Sequence, residues 1–253
     1  MHALGRLVLG LVLALASCRC EGAPPEPARG RATAPAGSTA ATATSSPEGS
    51  CPPDMAPLGG GGCIDRYEAS AGTGELGDAE GKGTTVVAVS AARRPPLSAV
   101  SWHQAAKACA NTGKELCGDR AWIAACQGAG GWEYPYGNSF EPGRCNDWRT
   151  SHEGRDGPLP TGSMSRCVTP AGVFDLSGNL GEWTYPVKAE REDASVRGGS
   201  YNHTIVDSSC RHGYGRPRTA QDASAGFRCC LRAGTAPRAG ASAGGGSVPE
   251  PPP

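Results

Sequence analysis

The chain has 253 residues, with 24 Lys+Arg against 24 Asp+Glu, so its formal net charge is zero and it has no basic excess to neutralise phosphates; a general nucleic-acid binder is not expected. Hydrophobic residues make up only 38%, and many of the 38 Gly and 22 Pro lie towards the two ends, so the core must be built from the middle. Twelve cysteines are too many for an ordinary cytosolic domain and point to an oxidising compartment with a disulfide framework.

Residues 1–18 read as a secretory signal. His2 and Arg6 give a weakly positive start, and an apolar run follows from Leu7 to Ala16. That run is about half of the roughly 20 residues a membrane-spanning helix needs. Leu15-Ala16-Ser17-Cys18 resembles a bacterial lipobox, where the peptide is cut before a cysteine whose thiol is lipidated. The expectation is export across the inner membrane and a lipid anchor at Cys18 in the cell envelope, on the outer membrane. Residues 19–50 are Ala, Pro, Thr, Ser, Gly and Arg without periodicity, a composition that cannot order itself and reads as a tether. Residues 51–232 form the body, read as one domain, and 233–253 are a second disordered Gly/Ala/Pro tail.

Within the body, Thr84–Ser90 reads as a strand. Ser101 is a plausible N-cap for a helix over Trp102–Thr112, with Trp102, Ala105, Ala106 and Cys109 at helical spacing and Gly113 as its stop. Asp119 is expected to cap a second helix, Arg120–Gln127, with Trp122, Ala125 and Cys126 inward and Gly128 as its stop. Beyond about residue 130, Gly, Pro, Asn and Asp recur every few residues, which predicts long irregular loops held by side-chain contacts and covalent staples. No internal repeat is present.

Ten cysteines fall in the body: Cys51, Cys63, Cys109, Cys117, Cys126, Cys145, Cys167, Cys210, Cys229 and Cys230. They allow five bridges, and spacing alone cannot choose the pairing. Metal binding is the weaker reading, since no Cys-x-x-Cys pair occurs and the five histidines do not cluster at zinc spacing. Cys20 is left over.

A set of blocks in fixed order carries a resemblance. Cys63-Ile64-Asp65-Arg66-Tyr67-Glu68 opens it, followed by Val100-Ser101-Trp102, Gly113-Lys114-Glu115-Leu116 and Tyr134-Pro135-Tyr136-Gly137. The later blocks are Gly172-Val173-Phe174-Asp175-Leu176-Ser177-Gly178-Asn179-Leu180-Gly181-Glu182-Trp183, Arg197-Gly198-Gly199-Ser200-Tyr201 and Gly226-Phe227-Arg228-Cys229. Together they resemble the formylglycine-generating enzyme family, the sulfatase-modifying factors, over nearly all of 51–232. The resemblance implies an α+β fold related to C-type lectins, loop-rich and disulfide-stapled. It also implies bridges Cys109–Cys229 and Cys126–Cys210. For the remaining six, Cys51–Cys63, Cys117–Cys230 and Cys145–Cys167 are assigned by proximity and elimination.

Members of that family oxidise a cysteine of a sulfatase to formylglycine with molecular oxygen and a copper(I) ion held by two thiolates, the soft ligands that ion prefers. Ser200 matches a family active-site serine. The first copper-cysteine position falls on or beside His203, and the second between Ile205 and Ser208; neither is Cys. Copper and iron are therefore not expected. The resemblance implies structural Ca²⁺ instead, with Asn179, the Leu180 carbonyl and Glu182 at one site and Asn146 at another. Trp102, Trp122 and Trp183 read as core. Trp132, Tyr134, Tyr136 and Trp148 either pack under loops or line a groove for a peptide or sugar. Arg228 reads as structural, and Arg211, Arg216 and Arg218 as solvated or facing an acidic ligand. The resulting expectation is an envelope-anchored module that binds a peptide or glycan. The alternative is a metal-dependent oxidoreductase with a site rebuilt around His203.

Overall fold

The computed structural model describes residues 51–151, 157–186, 193–203, 208–232 and 234. The signal segment, Cys18, Cys20, the tether and nearly all of the tail lie outside the described residues. Among the described residues, three small sheets organise the body. The first has the order β1-β2-β10-β5, from β1 (Met55–Pro57), β2 (Cys63–Asp65), β10 (Cys229–Leu231) and β5 (Glu115–Leu116). The second pairs β3 (Ala69–Ala71) with β4 (Ala88–Ser90). The third has the order β8-β7-β6-β9, from β8 (Gly213–Pro217), β7 (Asp193–Arg197), β6 (Gly181–Thr184) and β9 (Ala225–Phe227), with β6 and β9 parallel. A four-residue helix, α3, covers Trp148–Ser151. No helix among the described residues is long and apolar enough to cross a membrane.

Helix α1 (Trp102–Ala110) starts where its sequence says it should. The Ser101 hydroxyl accepts from the Gln104 N–H, and the Gln104 side chain accepts from the Ser101 N–H, so two orphan donors are satisfied reciprocally. Trp102, Ala105, Ala106 and Cys109 are buried against Trp183, Val196 and Phe227 in the larger core. Helix α2 (Asp119–Gln127) buries Trp122 and Cys126 with Leu176 and Val173 in the second core.

The second helix corrects the expected cap. Gly118, not Asp119, is the N-cap, and it makes no side-chain cap bond. Asp119 is drawn inward: it accepts from Arg197 Nη2 at 2.9 Å, from Arg197 Nε at 3.0 Å, from Ser195 and from Thr184. Those bonds tie α2 to the third sheet and hold the carboxyl below its ordinary range despite burial. The strand expected at Thr84–Ser90 is also shorter. Only Ala88–Ser90 pairs regularly, because the Thr85 and Val86 N–H groups both donate to one carbonyl, Glu75, and that breaks the one-to-one ladder.

The expectation of irregular structure after residue 130 fails for the third sheet. Its glycines mark close packing rather than turns. A Cβ on Gly226 would sit 2.7 Å from a Leu180 methyl and 3.0 Å from the Leu97 carbonyl oxygen, and one on Gly181 would sit 2.8 Å from Val196.

Five disulfides staple the loops: Cys51–Cys63, Cys109–Cys229, Cys117–Cys230, Cys126–Cys210 and Cys145–Cys167. A charge cluster with Asp65 buried at its centre adds to them. Lys114 Nζ lies 2.6 Å from Asp65 and 2.9 Å from Asp54, joining β5 to β2 and the β1 segment. Burial outweighs Lys114 and raises the Asp65 carboxyl to about 6. Folded Asp65 thus holds its proton more tightly than the unfolded chain does. Its contribution to stability is full below the ordinary value of 3.8 and is lost as pH rises through about 6. Urea midpoints measured along that pH range should fall more steeply with pH for the wild type than for Asp65→Asn; parallel profiles would refute the assignment.

Candidate functional site

The segment expected to carry chemistry follows β7. Gly198 and Gly199 both have left-handed backbone angles, φ +83 and +63, and turn the chain sharply after Arg197. A Cβ on Gly198 would press within 3.0 Å of the Trp122 ring, so the turn lies directly on the second core. Ser200 follows, fully buried. Its Oγ lies 2.6 Å from Asn202 Oδ1 and 2.6 Å from His203 Nδ1. A hydroxyl has one proton. Donating it to Asn202 Oδ1, Ser200 accepts the Nδ1 proton of His203. The His203 ring is tilted against Tyr214 with centroids 5.4 Å apart, and His212 approaches the same tyrosine at 6.5 Å. Ser200 and His203 are thus brought together, while residues 204–207, including Asp207 and most of the second copper position, lie outside the described residues.

Of the residues expected to hold calcium, Asn146, Asn179 and Leu180 share one buried polar network next to this turn. Asn179 has φ +59, a position that Asn tolerates. Its carbonyl accepts from Tyr201 N at 2.9 Å, which links the network to the Ser200 turn. Its Oδ1 accepts from Asn146 Nδ2 at 2.9 Å and from Leu159 N at 2.8 Å, and its Nδ2 donates to Glu68. Leu180 N donates to the other Glu68 oxygen at 2.9 Å. Glu182 is bonded separately: Arg228 reaches it at 2.6 and 2.7 Å and Trp122 Nε1 donates to it at 2.7 Å.

The electrostatics are unusual for an interior. Glu68, Asp175 and Glu182 are all buried, and Arg228, fully buried, is the cation among them. Burial, then the charges of Asp175 and Glu182, push the Glu68 carboxyl well above its ordinary range. Burial raises Asp175 to about 6, against the pull of the Gly162 N–H and Arg228. Glu68 and Asp175 escaped the sequence reading. Each stands inside a block that carries the family resemblance, but neither block says that they meet.

The donor sets can be tested against the metals the resemblance implies. Copper(I) needs two thiolates, and all ten cysteines of the body are closed in bridges, so the residues do not fit it. Among the described residues no three His, Cys, Asp or Glu side chains gather in a way that could hold a metal ion. A hard ion that takes amide and carbonyl oxygens is a different case. Asn146 Oδ1 is buried without a hydrogen-bond donor, in a region with surplus buried carboxylate. Both Glu182 oxygens are engaged by Arg228 and Trp122, so the oxygen on offer is that of Asn146.

Trp102, Trp122 and Trp183 lie in the core. Tyr134 stacks on Tyr136, which Arg144 covers at 4.5 Å, so this aromatic group packs under its loop. Arg228 is structural. Arg216 pairs with Asp222, Arg211 lies 3.6 Å from Glu133, and Arg218 lies 4.7 Å over Trp102. A groove of about 350 Å³ lies elsewhere, lined by Leu58, Ala121, Ala124, Leu231, Arg120 and Arg232 among others.

A family model for the sulfatase-modifying factor enzyme 1-like domain matches residues 67–233. The inactive C-alpha-formylglycine-generating enzyme 2 of Bos taurus is 33% identical over 159 residues, covering 56% of this chain and 52% of that protein. Its Mus musculus counterpart is 33% identical over 156 residues and is covered to 50%, so the chain spans about half the length of these curated relatives. Among solved structures, Treponema denticola variable protein 1 superposes with a TM-score of 0.51 at 15% identity, over 68% of this chain and 84% of that one. PvdO from Pseudomonas aeruginosa does so with a TM-score of 0.51 at 14% identity, over 68% and 80%. Both share the fold.

Proposed function

The chain belongs to the sulfatase-modifying factor family, and on that premise we propose that it is a non-catalytic member, an envelope-anchored module that holds a peptide or glycan. The observation that carries this reading is the state of its cysteines. The ten in the body are closed as five bridges, and the position expected for the first copper thiolate, on or beside His203, holds no cysteine. Two relatives named as inactive enzymes support it. Anchoring through a lipidated Cys18 is part of the same proposal, and a bridge-rich body suits an exported protein. Calcium is the ion proposed for the buried oxygen network, with Asn146 as the residue that would face it and a purely structural contribution.

The experiment measures oxygen uptake by the purified protein with cysteine-containing peptides after Cu(I) loading, beside binding of immobilised peptides and glycans. No oxygen uptake and saturable binding are expected. Turnover that disappears in His203→Ala would overturn the reading in favour of a rebuilt oxidoreductase site. In the same preparation Cys18→Ala should move the chain from the membrane to the soluble fraction, and an unchanged distribution would remove the anchor.

A further inference from the structure

The five bridges are not equivalent. Cys51 is half-buried, whereas each of the other nine bridged cysteines is 7% exposed or less. Cys51–Cys63 also closes the shortest loop, with a separation of 12 against 22, 84, 113 and 120. Its surroundings set it apart again. Cys63 packs with Met55, Leu231 and Cys51 in a small apolar cluster separate from the two main cores. The hairpin it closes carries β1, the outermost strand of its sheet, held to β2 by three residue pairs. Leu58, Gly59 and Gly62 of that hairpin line the 350 Å³ groove, next to Leu231 and Arg232 of the neighbouring strand end.

We propose that Cys51–Cys63 is a redox-labile clip on the hairpin beside the groove: a dithiol opens it before any other bridge, loosening the Cys51–Met55 side while the rest of the domain stays folded. One thiolate of the reductant attacks the accessible Cys51 sulfur, and Cys63 leaves as a thiolate. The second thiol of the reductant then displaces Cys51. Two electrons pass to the protein, two cysteine thiols take up protons, and the reductant becomes a cyclic disulfide. Access governs which bridge such an exchange reaches first. The hairpin lends Ala56 and Ile64 to the second core, while Cys51, Met55 and Cys63 belong to a small apolar cluster of their own, so the part that opens at low cost is the Cys51–Met55 side.

The experiment treats the full chain with increasing dithiothreitol, alkylates the free thiols, and maps them by mass spectrometry, with amide exchange recorded at each step. Cys51 and Cys63 should be labelled while the other eight body cysteines are not. Exchange in 51–55 should rise about tenfold, with α1 and α2 unchanged. Another pair labelled first, or all ten labelled together, would overturn the proposal. The variant Cys51→Ala/Cys63→Ala gives an independent readout. It should reproduce the faster exchange without reductant, and exchange equal to wild type would mean that the bridge does not hold that side of the hairpin.

Discussion

Arg228→Met should destabilise the fold by about 3–5 kcal/mol at neutral pH, the usual cost of breaking a buried ion pair from one side. The guanidinium is fully buried. It makes two bonds to Glu182, one to the Asp65 carbonyl at 3.0 Å and one to the Phe174 carbonyl at 2.9 Å. Methionine fills much of the volume but leaves Glu182, Glu68 and Asp175 without their shared cation. The pH dependence separates this account from a simple packing defect. Glu68 and Asp175 already bind protons more tightly in the folded protein than in the unfolded chain, Asp175 up to about 6. Without Arg228 their affinity rises further, so the penalty should shrink as pH falls below about 6 and the carboxyls neutralise. Adding Glu182→Gln should return part of the loss, since removing both partners of a buried pair costs less than removing one. Urea unfolding with the disulfides intact measures both variants beside the wild type. A penalty below about 1 kcal/mol, or one independent of pH, would show that Arg228 does not hold these carboxylates.

The parts of this fold legible in the sequence are those whose cause is local. Ser101 and Gln104 are three residues apart and cap α1 between themselves, so the start of that helix could be read directly. Trp122 and Trp183 are large, apolar and inside helical or family blocks, and both are fully buried. What escaped reading depends on distant partners. Asp119 has the chemistry of an N-cap, yet Arg197, 78 residues later, draws it away from the helix end. The strands of the third sheet are three to five residues long and rich in glycine, so their signal is that of loops until close packing explains each glycine. The candidate site was legible as a position. Ser200 and His203 lie side by side, but the tie from Tyr201 through Asn179 to the buried Glu68 required the structure.

The two bridges that end on Cys229 and Cys230 should reinforce one another strongly. Cys109–Cys229 and Cys117–Cys230 span 120 and 113 residues, and each alone would remove about 5 kcal/mol of loop entropy from the unfolded chain. They nevertheless close nearly the same loop. Their partners are adjacent at one end and both lie close to β5 at the other, so with one bridge intact the second closes a circuit of only about ten residues, worth about 3 kcal/mol. Removing either pair with alanines should therefore cost about 3 kcal/mol, and removing both about 7, because the intact Cys126–Cys210 bridge already shortens the circuit to roughly 30–40 residues. The packing points the same way, since β10 and β5 pair at Cys229–Leu116 and Cys230–Glu115 and keep the second bridge aligned when the first is absent. Urea unfolding of the two double variants and the quadruple variant decides it. Costs for the two pairs that simply add would mean that the two staples act on separate loops, and that the adjacent cysteines do not work as a unit.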